Sequence, residues 1–519
     1  MHSTFQLLAT LTLLWAHAAF ASADSTLLFV NQCGYQSDWP KRFTAIHAEP
    51  GQAFVVQQAD TGEVLYSGAL ADGVGDFSDY RPNKATTCVI RTNSSTSDPF
   101  VVSPDWAQDV CYPAALHFMV DTRSVVGTHP SAYGGGPWRD STYYTFEMPS
   151  LVLLYLSNPD YFQNLPIEIN YARDKQKVLA SDFEIVRANG DDGALETARR
   201  YYQEIDPPVG DNCPDIVQLM HWGVGWYLLS PATKDPSNDP LPRQIHPQTV
   251  EQFAFFLYAL PEIEGYFTDS FKKQAHDFAF DQWESVGLLD VITDVGTLKG
   301  RHCPGHSIQP NLLMHEVAKR EGRADAKRFL QAAVEQAHWV ITHFDAADPR
   351  VTKGQRMSEH KLIMGLVTLQ KDYPESAPEA LNDWLRHWTD VVIARSDNLW
   401  DFRRYTDTEW SIPRSTGQQH STSGAAGWNE PGNLAAFPGI CMAVADLDPE
   451  SQKSVRLRQI GIAQLDNLFG RNPLAAHTAA LATDPEKGFA GAERGWPKHF
   501  HNDTCARLEL VRRPGSHFL

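Results

Sequence analysis

The chain has 519 residues, of which 42% are hydrophobic and 21% charged, with 14 Trp. That length suggests two domains, and the composition excludes a disordered chain. A formal net charge of -19 excludes nucleic acid as a partner, because phosphate contacts need an excess of Lys and Arg.

In chain order, the first element is an apolar run from Leu7 to Phe20, followed by the small-x-small triplet Ala21-Ser22-Ala23. This predicts a signal peptide over residues 1–23 and a secreted or periplasmic mature chain. The run is short for a membrane span and no later stretch is longer, so no membrane partner is expected. Residues 24–104 read as β-structure. Short β-rich runs recur at Thr26–Val30, Arg42–His47, Ala53–Gln57, Val64–Leu70, Thr86–Thr92 and Phe100–Ser103, separated by turn signals such as Glu49-Pro50-Gly51 and Asp60-Thr61-Gly62. Regular short strands of this kind predict a sandwich.

From residue 105 to 519 the period changes to helical. Ile216, Leu219, Met220, Val224, Tyr227 and Leu228 share one face of a predicted helix over Asp215–Leu229. The same period recurs at Phe329–Ile341, Leu381–Val392, Phe437–Val444 and Leu457–Leu468, and roughly ten to twelve helices are expected. The seven cysteines (33, 88, 111, 213, 303, 441 and 505) show no CxxC spacing, so a zinc ribbon is excluded. An exported chain permits disulfides without fixing their pairing. His302 and His306 flank Cys303-Pro304-Gly305, a loop with the right residue types for a metal but no evident third and fourth ligands. Asp191-Asp192-Gly193 is similar to a calcium-loop fragment, so a structural calcium is compatible with the sequence; no other cofactor is called for.

Three segments resemble glycoside hydrolase family 9, in its subgroup with an N-terminal immunoglobulin-like domain. They are Asn31-Gln32-Cys33-Gly34-Tyr35 with Lys41, Gly135-Gly136-Pro137-Trp138-Arg139-Asp140-Ser141-Thr142-Tyr143-Tyr144, and Gln464 to Leu474 (QLDNLFGRNPL) preceded by Gly427-Trp428-Asn429. The resemblance implies an immunoglobulin-like β-sandwich followed by an (α/α)6 toroid that takes a polysaccharide or oligosaccharide. It places Asp140 on the first of the family's paired aspartates. Tyr143 stands where the second, the general base, is expected. Pro497-Lys498-His499-Phe500-His501 only loosely echoes the family's His-His-Arg segment, and no Asn-Glu pair follows it.

Inverting glycosidases need two carboxyls roughly 6.5–9.5 Å apart across the scissile bond. Asp140 is the first candidate, although an Asp at that position also suits a helix cap. Glu430 and Glu493 are candidates for the second carboxyl, and His420, in a polar Gly-punctuated loop, for acid-base work. Glu147 follows Tyr143 by four positions and reads as a helix-surface Glu. Trp138, Tyr144, Trp428, Asn429, Arg494, His499 and His501 are expected to bind sugar. Hydrolysis of β-linked glycans is the first reading. A lyase that uses Tyr143 or Tyr144 and a His to eliminate a uronic-acid polymer is the second. A non-catalytic sugar-binding relative is the third.

Overall fold

A computed structural model describes residues 26–127, 137–138, 147–180, 192–229, 247–290, 305–348, 358–404, 407 and 431–471. Strands occupy the first part of this range and helices the rest, with no strand after Ser103 among the described residues.

The strands are β1 (Leu27–Phe29), β2 (Tyr35–Gln36), β3 (Arg42–Ile46), β4 (Ala53–Gln58), β5 (Val64–Ala69), β6 (Val74–Asp76), β7 (Thr86–Arg91) and β8 (Phe100–Ser103). They form a three-stranded sheet, β1-β3-β6, and a five-stranded sheet, β2-β8-β7-β4-β5. All pairings are antiparallel except β2 with β8. Alternation along each strand sends Phe43 and Ala45 from one sheet, and Phe54, Val56, Ile90 and Val102 from the other, into one shared core. Phe43 meets Phe54 edge-on across it at 4.9 Å. The six expected strand runs are all present. The extra strands β2 and β6 have two and three residues, too few for a period to show.

Lys41, from the first motif, is fully buried. Its ammonium donates to the carbonyls of Ser37, Trp39 and Ser78 at 2.6, 3.0 and 3.1 Å. Burial outweighs the surrounding charges and lowers its pKa to about 8. Its role is to tie loops together.

Fourteen α-helices follow among the described residues. They are α1 (Tyr112–Asp121), α2 (Glu147–Ser157), α3 (Pro159–Gln163), α4 (Tyr171–Leu179), α5 (Asp192–Glu204), α6 (Asp215–Leu229), α7 (Pro247–Ile263), α8 (Asp269–Ser285), α9 (Ile308–Arg320), α10 (Ala326–His343), α11 (Ser358–Asp372), α12 (Leu381–Arg395), α13 (Pro431–Ala445) and α14 (Gln452–Asp466). Helix α2 packs on α7, α7 on α9, α9 on α11, and α11 on α13, giving a toroid-like succession of neighbours. Two large cores fill it, one around α2, α6, α7 and α8 and the other around α10, α11, α12 and α13.

Helix α6 departs from expectation. It is not a helix with one apolar face; it is buried nearly all round, and Tyr227 and Leu228, assigned to the core face, are its more exposed residues. The reason is its company: α1, α2, α5, α7 and α8 all pack against it. Gly223 and Gly225 make room on the side that the period leaves polar. A Cβ at Gly223 would lie 2.8 Å from the Trp138 ring, and one at Gly225 would lie 2.7 Å from Ile205.

Two of the three motifs meet at the seam between strands and helices. The Gln32 amide donates to the Phe469 carbonyl at 3.0 Å, and Asn31 Nδ2 donates to Asp466 Oδ1 at 2.9 Å. Gly34, at φ +113°, would place a Cβ 2.5 Å from the Val101 carbonyl oxygen, and Gly470, at φ +112°, abuts Gln32. Both positions disfavour a side chain by backbone conformation, and Gly34 excludes one on space as well. Asp401 accepts from Arg42, from Arg456 at 2.6 Å and from Arg471 at 2.8 Å. Arg471 also reaches Thr44 at 3.3 Å. The Gly-Arg segment is therefore a structural latch to the β-region.

Candidate functional site

The best-defined collection of ionisable side chains lies where α7, α9 and α11 begin. Helix α7 reads PQTVEQFAFFLYALPEI, so its polar residues crowd into the first turns, and the run from Phe253 to Leu257 is apolar. Glu251 and Gln252 are nevertheless buried. Glu251 Oε1 is in direct contact with His306 Nδ1, one residue before Ser307, which caps α9. Lys361, in the first turn of α11, places its ammonium 3.6 Å from Glu251 Oε2. His306 is 1% exposed and Glu251 2%, so the pair is desolvated and Lys361 balances its charge. Gly305, at φ +69°, lets the chain turn into α9 against Leu362 and Val340.

A second ion pair extends this end of the molecule. Glu359 accepts from Trp388 Nε1 at 2.9 Å and from Arg403, whose guanidinium lies 4.7 Å from the centre of the Phe437 ring. His360, between Glu359 and Lys361, is held down to about 3, first by burial and then by the Lys361 charge, so it is neutral at pH 7. The starts of α7, α9 and α11 thus share a buried lining of carboxylate, imidazole and ammonium. A His fixed at Nδ1 by a carboxylate has the geometry of a proton carrier.

Of the residues expected from sequence, Trp138 lies within the described range. It pairs with Arg123 in an isolated bridge, and its ring fits over Gly223. The Pro137 carbonyl beside it accepts from Trp222 Nε1 at 2.6 Å. Trp138 is 2% exposed, so here its indole packs in the core and anchors the chain two residues ahead of Asp140. Glu147 is not the surface residue expected: it is 4% exposed at the first position of α2, a helix held between α6 and α7. His306 contacts Glu251, which Lys361 approaches in turn, while its expected neighbours His302 and Cys303 lie outside the described residues. Among the described residues no three His, Cys, Asp or Glu side chains gather as a metal site. Asp140, Tyr143, Tyr144, His420, Trp428, Asn429, Glu430, Glu493, Arg494, His499, His501, His302, Cys303 and Asp191 lie outside the described residues.

Sequence reasoning missed Glu251, Glu359, Lys361 and Arg403. The available signal was the pair Glu251-Gln252 ahead of an apolar helix, and the Glu-His-Lys run opening α11. Other histidines have plainly structural partners. His221 bonds Tyr171 at 2.6 Å and the Asp206 carbonyl at 2.7 Å, and His315 bonds the Ala326 carbonyl at 2.8 Å.

No family model and no curated protein matches the chain. Among solved structures, the fold is similar to that of a single mutant of a thermostable endoglucanase from Alicyclobacillus acidocaldarius. The identity is 14% over 86% of this chain and 83% of that one, with a TM-score of 0.50. A Bacteroides ovatus GH9 structure aligns at 14% identity over 86% and 84%, with a TM-score of 0.47. No helix of the described residues is long and apolar enough to cross a membrane.

Proposed function

We propose that the chain is an exported carbohydrate-active enzyme that hydrolyses β-linked glycans, built as an immunoglobulin-like β-sandwich over residues 24–104 and an (α/α)6 toroid over 105–519. The observation that carries the reading is the two-sheet strand region followed by a succession of packed helices, a fold similar to that of an endoglucanase. The segments that lead into α2 and α13 carry Asp140, Tyr143 and Tyr144, and His420, Trp428, Asn429 and Glu430. In this reading Asp140 holds and activates the attacking water, and Glu430 or Glu493 protonates the leaving oxygen. His420 supports that proton transfer. Tyr144, Trp428, Asn429, Arg494, His499 and His501 bind the sugar. The chemistry requires only carboxyls and water, and a calcium at Asp191-Asp192 would be structural.

Neutral β-glucans and uronic-acid polymers are to be assayed side by side. Hydrolysis predicts new reducing ends without ultraviolet absorbance. Asp140→Asn should lower the rate by about 10²- to 10⁴-fold, the usual contribution of general acid-base catalysis, with the fold intact by circular dichroism. Absorbance that rises with cleavage and is lost in Tyr143→Phe but not in Glu430→Gln would replace hydrolysis by β-elimination. Binding without products from either class would leave a sugar-binding protein.

A further inference from the structure

Cys33 lies between β1 and β2. Cys111 ends the helical turn Ala107–Cys111 that leads into α1. The two are 78 residues apart in sequence, yet both are half-buried and pack against one small cluster made of Trp106, Phe402 and Phe469. The position of Cys33 is fixed on both sides. Its N–H donates to Asn31 Oδ1 at 3.0 Å, and its carbonyl accepts from Trp106 Nε1 at 2.8 Å. Trp106 is also the residue from which the Cys111 turn starts, so its indole holds Cys33 while its backbone leads into the turn that carries Cys111. Burial first, and the neighbouring Cys111 second, push the Cys33 thiol up to about 12. Burial alone takes Cys111 to about 12. The other described cysteines are dispersed: Cys88 in the strand core, Cys213 in the core around α6, and Cys441 in the core around α13.

We propose that Cys33 and Cys111 form a disulfide that ties the strand region to the first turn of the helical region when the chain folds in an oxidising compartment. The two S–H bonds break and one S–S bond forms. Two electrons and two protons pass to an external disulfide such as oxidised glutathione, which becomes two thiols. Attack requires a thiolate, and thiols raised this far react slowly once buried. The bond therefore closes during folding, before the aromatic cluster shuts over it. The pairing is independent of the glycan reading. Its occurrence in the cell rests on export.

The test is to refold the reduced full-length chain with and without oxidised glutathione, alkylate free thiols, and digest with trypsin without reductant. The expected product is a peptide containing Cys33 joined to one containing Cys111, two hydrogens lighter than their sum. It should persist in Cys88→Ser and be absent in Cys111→Ser. Closing so long a loop should raise the melting temperature of the refolded wild type by about 4 °C over its reduced form. Cys111→Ser should melt at the same temperature with and without reductant. Recovery of Cys33 and Cys111 both alkylated after oxidative refolding, or each joined to Cys303 or Cys505, would overturn the pairing.

Discussion

Asp466 separates what a motif signals from what a residue does. Its segment was noticed for its likeness to a glycosidase helix, yet its carboxyl is buried at the seam and bonded to Asn31. Burial raises its pKa from 3.8 to about 7, against the opposing pull of Arg471, the Asn31 hydrogen bond and Arg42. The unfolded chain releases this proton near 3.8 and the folded chain near 7. Between those values the folded state binds more protons, so the stabilisation is complete below about 4 and is lost as pH rises to about 7. Burial also lifts Asp401, but Arg471, Arg42 and Arg456 outweigh it and hold that carboxyl below 3.8, so its own contribution is lost only on further acidification. His221 and His360, both lowered to about 3 by burial, and Asp215, raised by burial, titrate across the same interval in any variant that keeps them. The difference between two proteins isolates Asp466: across this interval urea midpoints should fall more, or rise less, with rising pH in the wild type than in Asp466→Asn. Equal slopes in the two proteins would refute the assignment.

At the scale of elements, strand positions were legible because alternation along β3, β4 and β7 directly encodes which side chains enter the shared core. Helix positions were legible for a similar reason, but burial was not. A 3.6-residue period reports one apolar face. It cannot report that α6 is packed by five neighbours, or that Glu147 is covered by the helices beside α2. The charges at the starts of α7, α9 and α11 were hidden for the same reason: Glu251, His306 and Lys361 come from three elements, and only packing brings them together. Most of the site candidates named from sequence lie outside the described residues. The cluster itself makes a prediction. Glu251→Gln leaves the His306 and Lys361 side chains without their shared carboxylate, and removing one partner of a buried ion pair costs about 3–5 kcal/mol. Adding Lys361→Met should restore part of that loss, since it removes the uncompensated charge. Chemical denaturation of the single and double variants measures both steps. A double variant no more stable than Glu251→Gln would mean that the two charges are not coupled.

At the scale of the molecule, strands and helices are joined by more than contact. Asp401, at φ +52°, sits in a conformation that Asp tolerates better than most residues. From there it gathers guanidiniums from β3, from α14 and from the turn after α14. Gln464 Nε2 donates to the Asp401 carbonyl at 2.7 Å, and Phe29 packs 6.1 Å from Trp400. The strand region is thus wired into the same helix end that continues into Asn472 and Pro473 of the motif. A β-region of this size alone has a small core, whereas a charge network shared with α14 makes its unfolding open an ion cluster around the buried Asp401 and Arg471, to which the partly exposed Arg42 and Arg456 contribute. Calorimetry should accordingly give one cooperative transition for the wild type. Asp401→Ala leaves Arg42, Arg456 and Arg471 facing one another without their shared anion, and only Arg42 keeps a second carboxylate, Asp76 at 3.7 Å. The strand region should then melt separately and earlier, as a second, smaller transition. The conservative Asp401→Asn keeps the hydrogen-bond acceptor but not the charge, so its effect should be intermediate. If Asp401→Ala still unfolds in a single transition at the wild-type temperature, the charge network does not couple the two regions, and the aromatic contacts around Trp106 and Phe469 carry the seam by themselves.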